Sequence, residues 1–136
     1  MAERRLIINA DDFGICPETN RAIRELFSAK LITSTSLLIT AESSLEAVEI
    51  IKTGQLNFGL HLTLNSDFSE YPWKCAYKGR SSLNDGKGFL FSDTKEVAQK
   101  AKYRDVTLEC EAQFAILNEF GITPDHFDNH SGTMYG

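Results

Sequence analysis

The chain has 136 residues, 42% hydrophobic and 24% charged, with a formal net charge of −5. That length suits one domain with a real core. The acidic balance, with no Lys/Arg cluster beyond the short "ERR" at 3–5, argues against a nucleic-acid-binding face.

Cys16, Cys75 and Cys110 are scattered and lack CxxC spacing, which fits reduced thiols better than a disulfide framework or a zinc–thiolate site. No signal-peptide h-region opens the chain, and no run approaches the roughly 18 apolar residues of a membrane helix. A cytoplasmic location without membrane contact is the expectation.

Leu6-Ile7-Ile8 reads as a strand buried on both faces, ending in the adjacent carboxylates of Asp11 and Asp12. Pro17 suits the first turn of a helix over 17–30, with Ile23, Leu26 and Phe27 at helical spacing. "TSTSLLIT" (33–40) is a second strand. "SSLEAVEIIKTG" (43–54) is a second helix, with Leu45, Val48 and Ile51 on one side and Gly54 as its stop. "NFGLHLTL" (57–64) is a third strand. Residues 65–104 break the rhythm as a long, turn-rich insertion, with a hairpin tip at "NDGKGF" and a short helix near 94–103. A helix over 105–119 carries Val106, Cys110, Phe114 and Leu117 on one stripe. A fourth strand begins near 125.

Strands alternating with helices predict a parallel α/β sheet with right-handed crossovers, open or barrel-like. Four strands cannot close a barrel, so residues 1–136 read as a single, partial domain. Function in such sheets collects at the carboxyl ends of the strands. Asp11 and Asp12 follow the first strand and His61 closes the third. In "HFDNH", alternation puts His126, Asp128 and His130 on one face. Imidazoles with a carboxylate form a first shell for a catalytic divalent ion such as Zn²⁺, Mn²⁺, Co²⁺ or Fe²⁺. One aspartate of the pair can then bind the cation while its neighbour accepts a proton. Each element also has a plainer reading. Asp11 or Asp12 can cap a helix, His61 can be a core histidine, and His126 can orient a ligand from behind.

The "DFG" at 12–14 is not a kinase motif, because eleven preceding residues cannot supply a nucleotide lobe. Glycine-rich phosphate loops are absent.

"NADDFG", "TSTSLL", "GLHLTL" and "TPDHFDNHSG" occur in order, and in them the chain resembles the YdjC-like carbohydrate deacetylases. The resemblance spans residues 6–64 and 105–136. It implies a seven-stranded (β/α) barrel, incomplete here, and removal of N-acetyl groups from acetylated amino sugars or chitooligosaccharides. It also implies one divalent ion (Mg²⁺ or Zn²⁺) on Asp12, His61 and His130, with Asp11 as base. The implied partner is a small carbohydrate, with a homodimer left open. Family members run to about twice this length, and a later histidine is expected to protonate the leaving amine. "SGTMYG" after His130 departs from members that place further histidines there. Tyr71, Trp73, Tyr77, Phe89 and Phe91 are candidates either for stacking on sugar rings or for a satellite core.

Two rival readings share parts of this pattern. A metal-dependent phosphoesterase lacks an arginine near the motifs to clamp phosphate. A receiver-like, Mg²⁺-binding signalling domain needs an aspartate where the third strand carries His61.

Overall fold

A computed structural model describes residues 3–54, 56–69 and 72–135. The elements run β1 (Asn9–Phe13), α1 (Pro17–Ser28), β2 (Ser34–Leu37), α2 (Ser44–Gly54), β3 (Phe58–Leu62), α3 (Thr94–Lys100), α4 (Tyr103–Glu119) and β4 (His126–Asn129). A 3₁₀ turn, His130–Tyr135, follows. The four strands form one sheet, all parallel, in the order β1-β2-β3-β4. This α/β arrangement meets the fold expectation as a partial barrel-like wall. It also removes the receiver reading, since a doubly wound receiver places its first strand between the second and third.

The register gives the sheet two unlike faces. Ala10, Leu37, Phe58, Leu60 and Leu62 pack with Ile23, Val48, Ile51 and Leu117 of the helices into the main core. The opposite face carries Asn9, Asp11, Ser34, Ser36, Gly59, His61, His126 and Asp128, aligned by the pairs Asn9↔Ser34, Ser36↔Gly59, Gly59↔His126 and His61↔Asp128. The strands are short and alternating rather than apolar on both sides, as a polar-lined concave wall requires.

The first strand starts later than its apolar run suggested. Leu6 and Ile7 are 76% and 77% exposed and lie before β1. β2 has four residues, so pairing reaches back only to Asn9↔Ser34. On α2 the buried side is Ala47, Val48 and Ile51, while Leu45 is exposed.

The insertion is ordered around its own small core of Leu64, Cys75, Leu83, Leu90 and Val97. Antiparallel bridges Lys74↔Phe89 and Asn84↔Leu90 flank the "NDGKGF" tip. Its attachment corrects the expected face of α4, because the buried positions are Glu109, Gln113 and Leu117, with Phe114 partly exposed. The Glu109 carboxylate accepts the Ala76 and Tyr77 N–H groups at 2.8 and 3.0 Å. Gln113 accepts Thr63 N–H and donates to Thr63 C=O. Irregular chain laid over a helix needs partners for its peptide groups, so polar side chains take core positions.

Candidate metal centre

"NADDF" does not run as a regular strand. The register slips between Ala10 and Phe13, and Asp12 adopts φ 64°, a left-handed conformation uncommon outside glycine. Neighbouring side chains in a regular strand point to opposite faces. The irregularity instead brings both aspartates toward His61. Gly14, at φ 106°, completes the turn where a Cβ would meet Leu38 C=O and Ser44 Cα at 3.1 Å. Its N–H donates at 2.7 Å to the buried Asn20 of α1, whose amide also holds Ser43 C=O and Glu46 of α2.

Asp12 Oδ1 lies 3.3 Å from His61 Nε2 and 3.2 Å from His130 Nδ1. The oxygen is sealed from solvent, yet neither contact aligns as a hydrogen bond, so it is left without a donor. Two atoms bound side by side to one cation, at bond lengths of about 2.0–2.1 Å, stand about 3.0–3.4 Å apart. The two Asp12–histidine separations match that spacing, and one ligand atom from each of the three residues lies within 4.8 Å of the others.

The far nitrogen of each imidazole is held by another acid. His61 Nδ1 donates to Asp128 Oδ1 at 2.6 Å, and His130 Nε2 donates to Asp67 Oδ1 at 2.8 Å. Each contact fixes the tautomer that leaves a lone pair facing Asp12, the carboxylate–histidine arrangement of metal sites. A second cluster, Asp11, His61 and Asp128, is also compact. It shares His61 with the first, and Asp128 already engages the His61 Nδ1.

The electrostatics agree. The His130 and His61 imidazoles hold Asp12 far below the usual carboxylate range, against the opposing pull of burial. Burial is the largest influence on His61 and disfavours its charge, but Asp12 and Asp128 outweigh it and push the imidazole up to about 9. His130 is raised in the same way by Asp12 and Asp67. Without a cation, protons fill this cluster of acids.

Asp11 stands beside the cluster, exposed, with Oδ1 accepting Asn9 Nδ2 at 2.7 Å and Ser36 Oγ at 3.3 Å. His126 does not join. It lies at the start of β4, over Gly59 and paired with Asp125, away from the carboxyl rim. His130 lies past the strand, in the 3₁₀ turn where Ser131 and Gly132 take positive φ, so the turn rather than strand alternation delivers it.

Asp67 was missed in the sequence because it sits in the insertion, 63 residues from the histidine it orients. Of the candidate aromatics, Trp73 and Phe89 line a cleft of about 830 Å³ with Phe68, Thr40, Glu42 and Lys74. The Trp73 ring is 5.3 Å from that of His130, which joins the cleft to the centre. Phe91 packs on the insertion core and Tyr77 folds over Gly79. Tyr71 lies outside the described residues.

The family model for YdjC-like proteins matches residues 5–135. The chain belongs to the YdjC-like family. Similar proteins include carbohydrate deacetylases of Clostridium beijerinckii, 35% identical over 127 residues (93% of this chain, 49% of that protein), and of Homo sapiens, 35% identical over 132 residues (93% and 40%). A crystal structure from Enterococcus faecalis V583, provisionally described as a cellobiose-phosphate cleavage protein, superposes with TM-score 0.81 at 32% identity. It covers 95% of this chain and 49% of that one. This YdjC-like chain thus spans about half the length, or less, of the relatives it matches. No helix among the described residues is long and apolar enough to cross a membrane.

Proposed function

We propose that this YdjC-like chain carries the metal-binding and general-base half of a carbohydrate deacetylase site, acting on N-acetylated amino sugars. The convergence of Asp12, His61 and His130, with Asp11 beside them and a tryptophan-walled cleft adjoining, carries the reading. Asp12, His61 and His130 would hold one divalent ion, Zn²⁺ or Mg²⁺, which when bound supplies charge to polarise the acetamide carbonyl and offset its developing negative oxygen.

Asp11 is the base. It is exposed, and its Oδ1 is oriented by Asn9 and Ser36. It can therefore take a proton from the attacking water, while Asp128 and Asp67 keep the imidazoles in their ligating tautomers. The cleft positions the sugar. Trp73, Phe68 and Phe89 line it, and the half-exposed Phe68 offers a ring face. All three histidines are accounted for, two at the centre and His126 on Asp125. Protonation of the leaving amine is therefore assigned to a group outside these residues, in keeping with the family resemblance. The relatives' deacetylase names favour this reading over a phosphoesterase.

The test is acetate release from N-acetylated chitooligosaccharides by the zinc- or magnesium-loaded protein, assayed both as this chain and in a chain of the relatives' full length, alongside Asp11→Asn and His61→Ala in each. Loss of turnover with retained metal in Asp11→Asn, and loss of both in His61→Ala, supports the assignment. Undiminished turnover in Asp11→Asn refutes the base.

A further inference from the structure

No cluster of cations is visible along the sequence, but folding makes one. Lys78 and Arg80 of the insertion, Lys87 at its hairpin tip, and Lys102 and Arg104 at the start of α4 line one cleft of about 750 Å³. These are five of the fourteen lysines and arginines in a chain of net charge −5. Asp105 is the only acid among the lining residues. Its carboxylate accepts Ser82 N–H at 2.8 Å. Among the described residues no ion pair engages any of the five, and only Lys78 spends its ammonium, on Cys75 C=O.

The backbone of the cleft is pinned, and its five cationic side chains are exposed. The 76–82 segment is tied to α4 by Glu109 on two peptide N–H groups, by Asp105 on Ser82, and by Lys102 N–H donating to Ser82 Oγ at 2.9 Å. Ser82 and Ser81 thereby use their hydroxyl oxygens as acceptors, for Lys102 and Leu83, and keep their protons for a ligand. Peptide N–H groups at the hairpin tip are already taken by Asn84 and Asp85. The ligand's partners at the tip are therefore side chains. Like charges held together in one cleft repel unless an anion sits among them, and a cleft of one sign focuses the field that attracts it.

We propose that this cleft binds a small anion carrying two or more phosphoryl-type charges, at a site separate from the metal centre. The lining residues of the two sites do not overlap. Five cations around a space larger than one phosphate fit a multiply charged ligand, and the guanidiniums of Arg80 and Arg104 can each grip an oxyanion through two N–H groups. α4 precedes a parallel strand and so runs against the sheet. Its amino end, and this cleft, therefore lie on the same carboxyl rim as the metal donors.

The test titrates the metal-free protein calorimetrically with inorganic tripolyphosphate and, separately, with orthophosphate. The expected result is saturable one-to-one binding of tripolyphosphate, at least roughly tenfold tighter than orthophosphate and weakening with added salt. Arg80→Gln/Arg104→Gln should weaken it roughly tenfold or more, while Arg21→Gln/Arg24→Gln on α1 leaves it unchanged. Unchanged melting temperatures show that both double variants are folded. Absence of saturable binding, equal affinity for the two anions, or equal losses in the two double variants overturns the proposal.

Discussion

Replacing Asp67 tests the metal centre at a residue that no motif marks. Its carboxylate lies 2.8 Å from His130 Nε2 and is the partner that orients this ring from behind. A hydrogen bond to a charged group is worth about 1.5–3 kcal/mol, and one between neutral groups about half as much. Asp67→Asn keeps an acceptor oxygen and loses the charge, which costs about 1 kcal/mol of ring orientation and basicity. Zinc affinity should fall roughly five- to tenfold. Asp67→Ala removes the acceptor as well and should weaken zinc roughly 10- to 100-fold, the range for partners of ligating histidines. His61→Ala, which deletes a donor, should cost more than either. Competition against a chromophoric chelator at pH 7.5 measures all three. Zinc affinity of Asp67→Ala equal to that of the parent protein would refute the reasoning, because His130 would then need no acid behind it.

Acid should weaken the metal, since His61, whose pKa sits near 9, and His130 must both shed protons to bind it. Zinc affinity, followed by the same competition, should rise steadily from pH 6 to pH 9. Without metal the trend reverses. His61 is raised from its ordinary 6.5, so its stabilising effect is complete below pH 6.5 and is lost as pH climbs through 9. Asp12 is lowered, so its contribution is present above about pH 4 and is lost in acid. The melting temperature of the metal-free protein should therefore decline between pH 6.5 and 9.5, and a flat profile would contradict the pairing. Glu109→Ala strands two peptide N–H groups and should destabilise by about 2–4 kcal/mol in urea unfolding, with earlier proteolysis near residues 76–82. Gly14→Ala meets both a positive φ and backbone at 3.1 Å, and should cost about 1–3 kcal/mol by the same measurement.

The order of strands and helices was legible because each element carries its own period. Pro17 opens α1, Gly54 closes α2, and the apolar positions of β3 recur at strand spacing. That Asp12, His61 and His130 share one rim was legible too, since parallel strands deliver their carboxyl ends to one side, although a turn past β4 places His130. Packing against a neighbour is less visible, and there the expectations failed. Leu6 and Ile7 look like core but flank a strand whose partner is too short to extend it. Phe114 looks like core but yields its place to Glu109 and Gln113, which answer the peptide groups of the insertion.

Local sequence thus determined which segments are regular and which residue types could hold a cation. Only the tertiary structure decided where the two aspartates stand relative to the histidines. The bulge and the left-handed backbone at Asp12 turn both carboxylates to one side, a departure from strand alternation that no local pattern encodes. Asp67 and the five cations of the second cleft are equally invisible along the chain. Their partners lie on segments 15 to 63 residues away, and distance in sequence carries no record of distance in space.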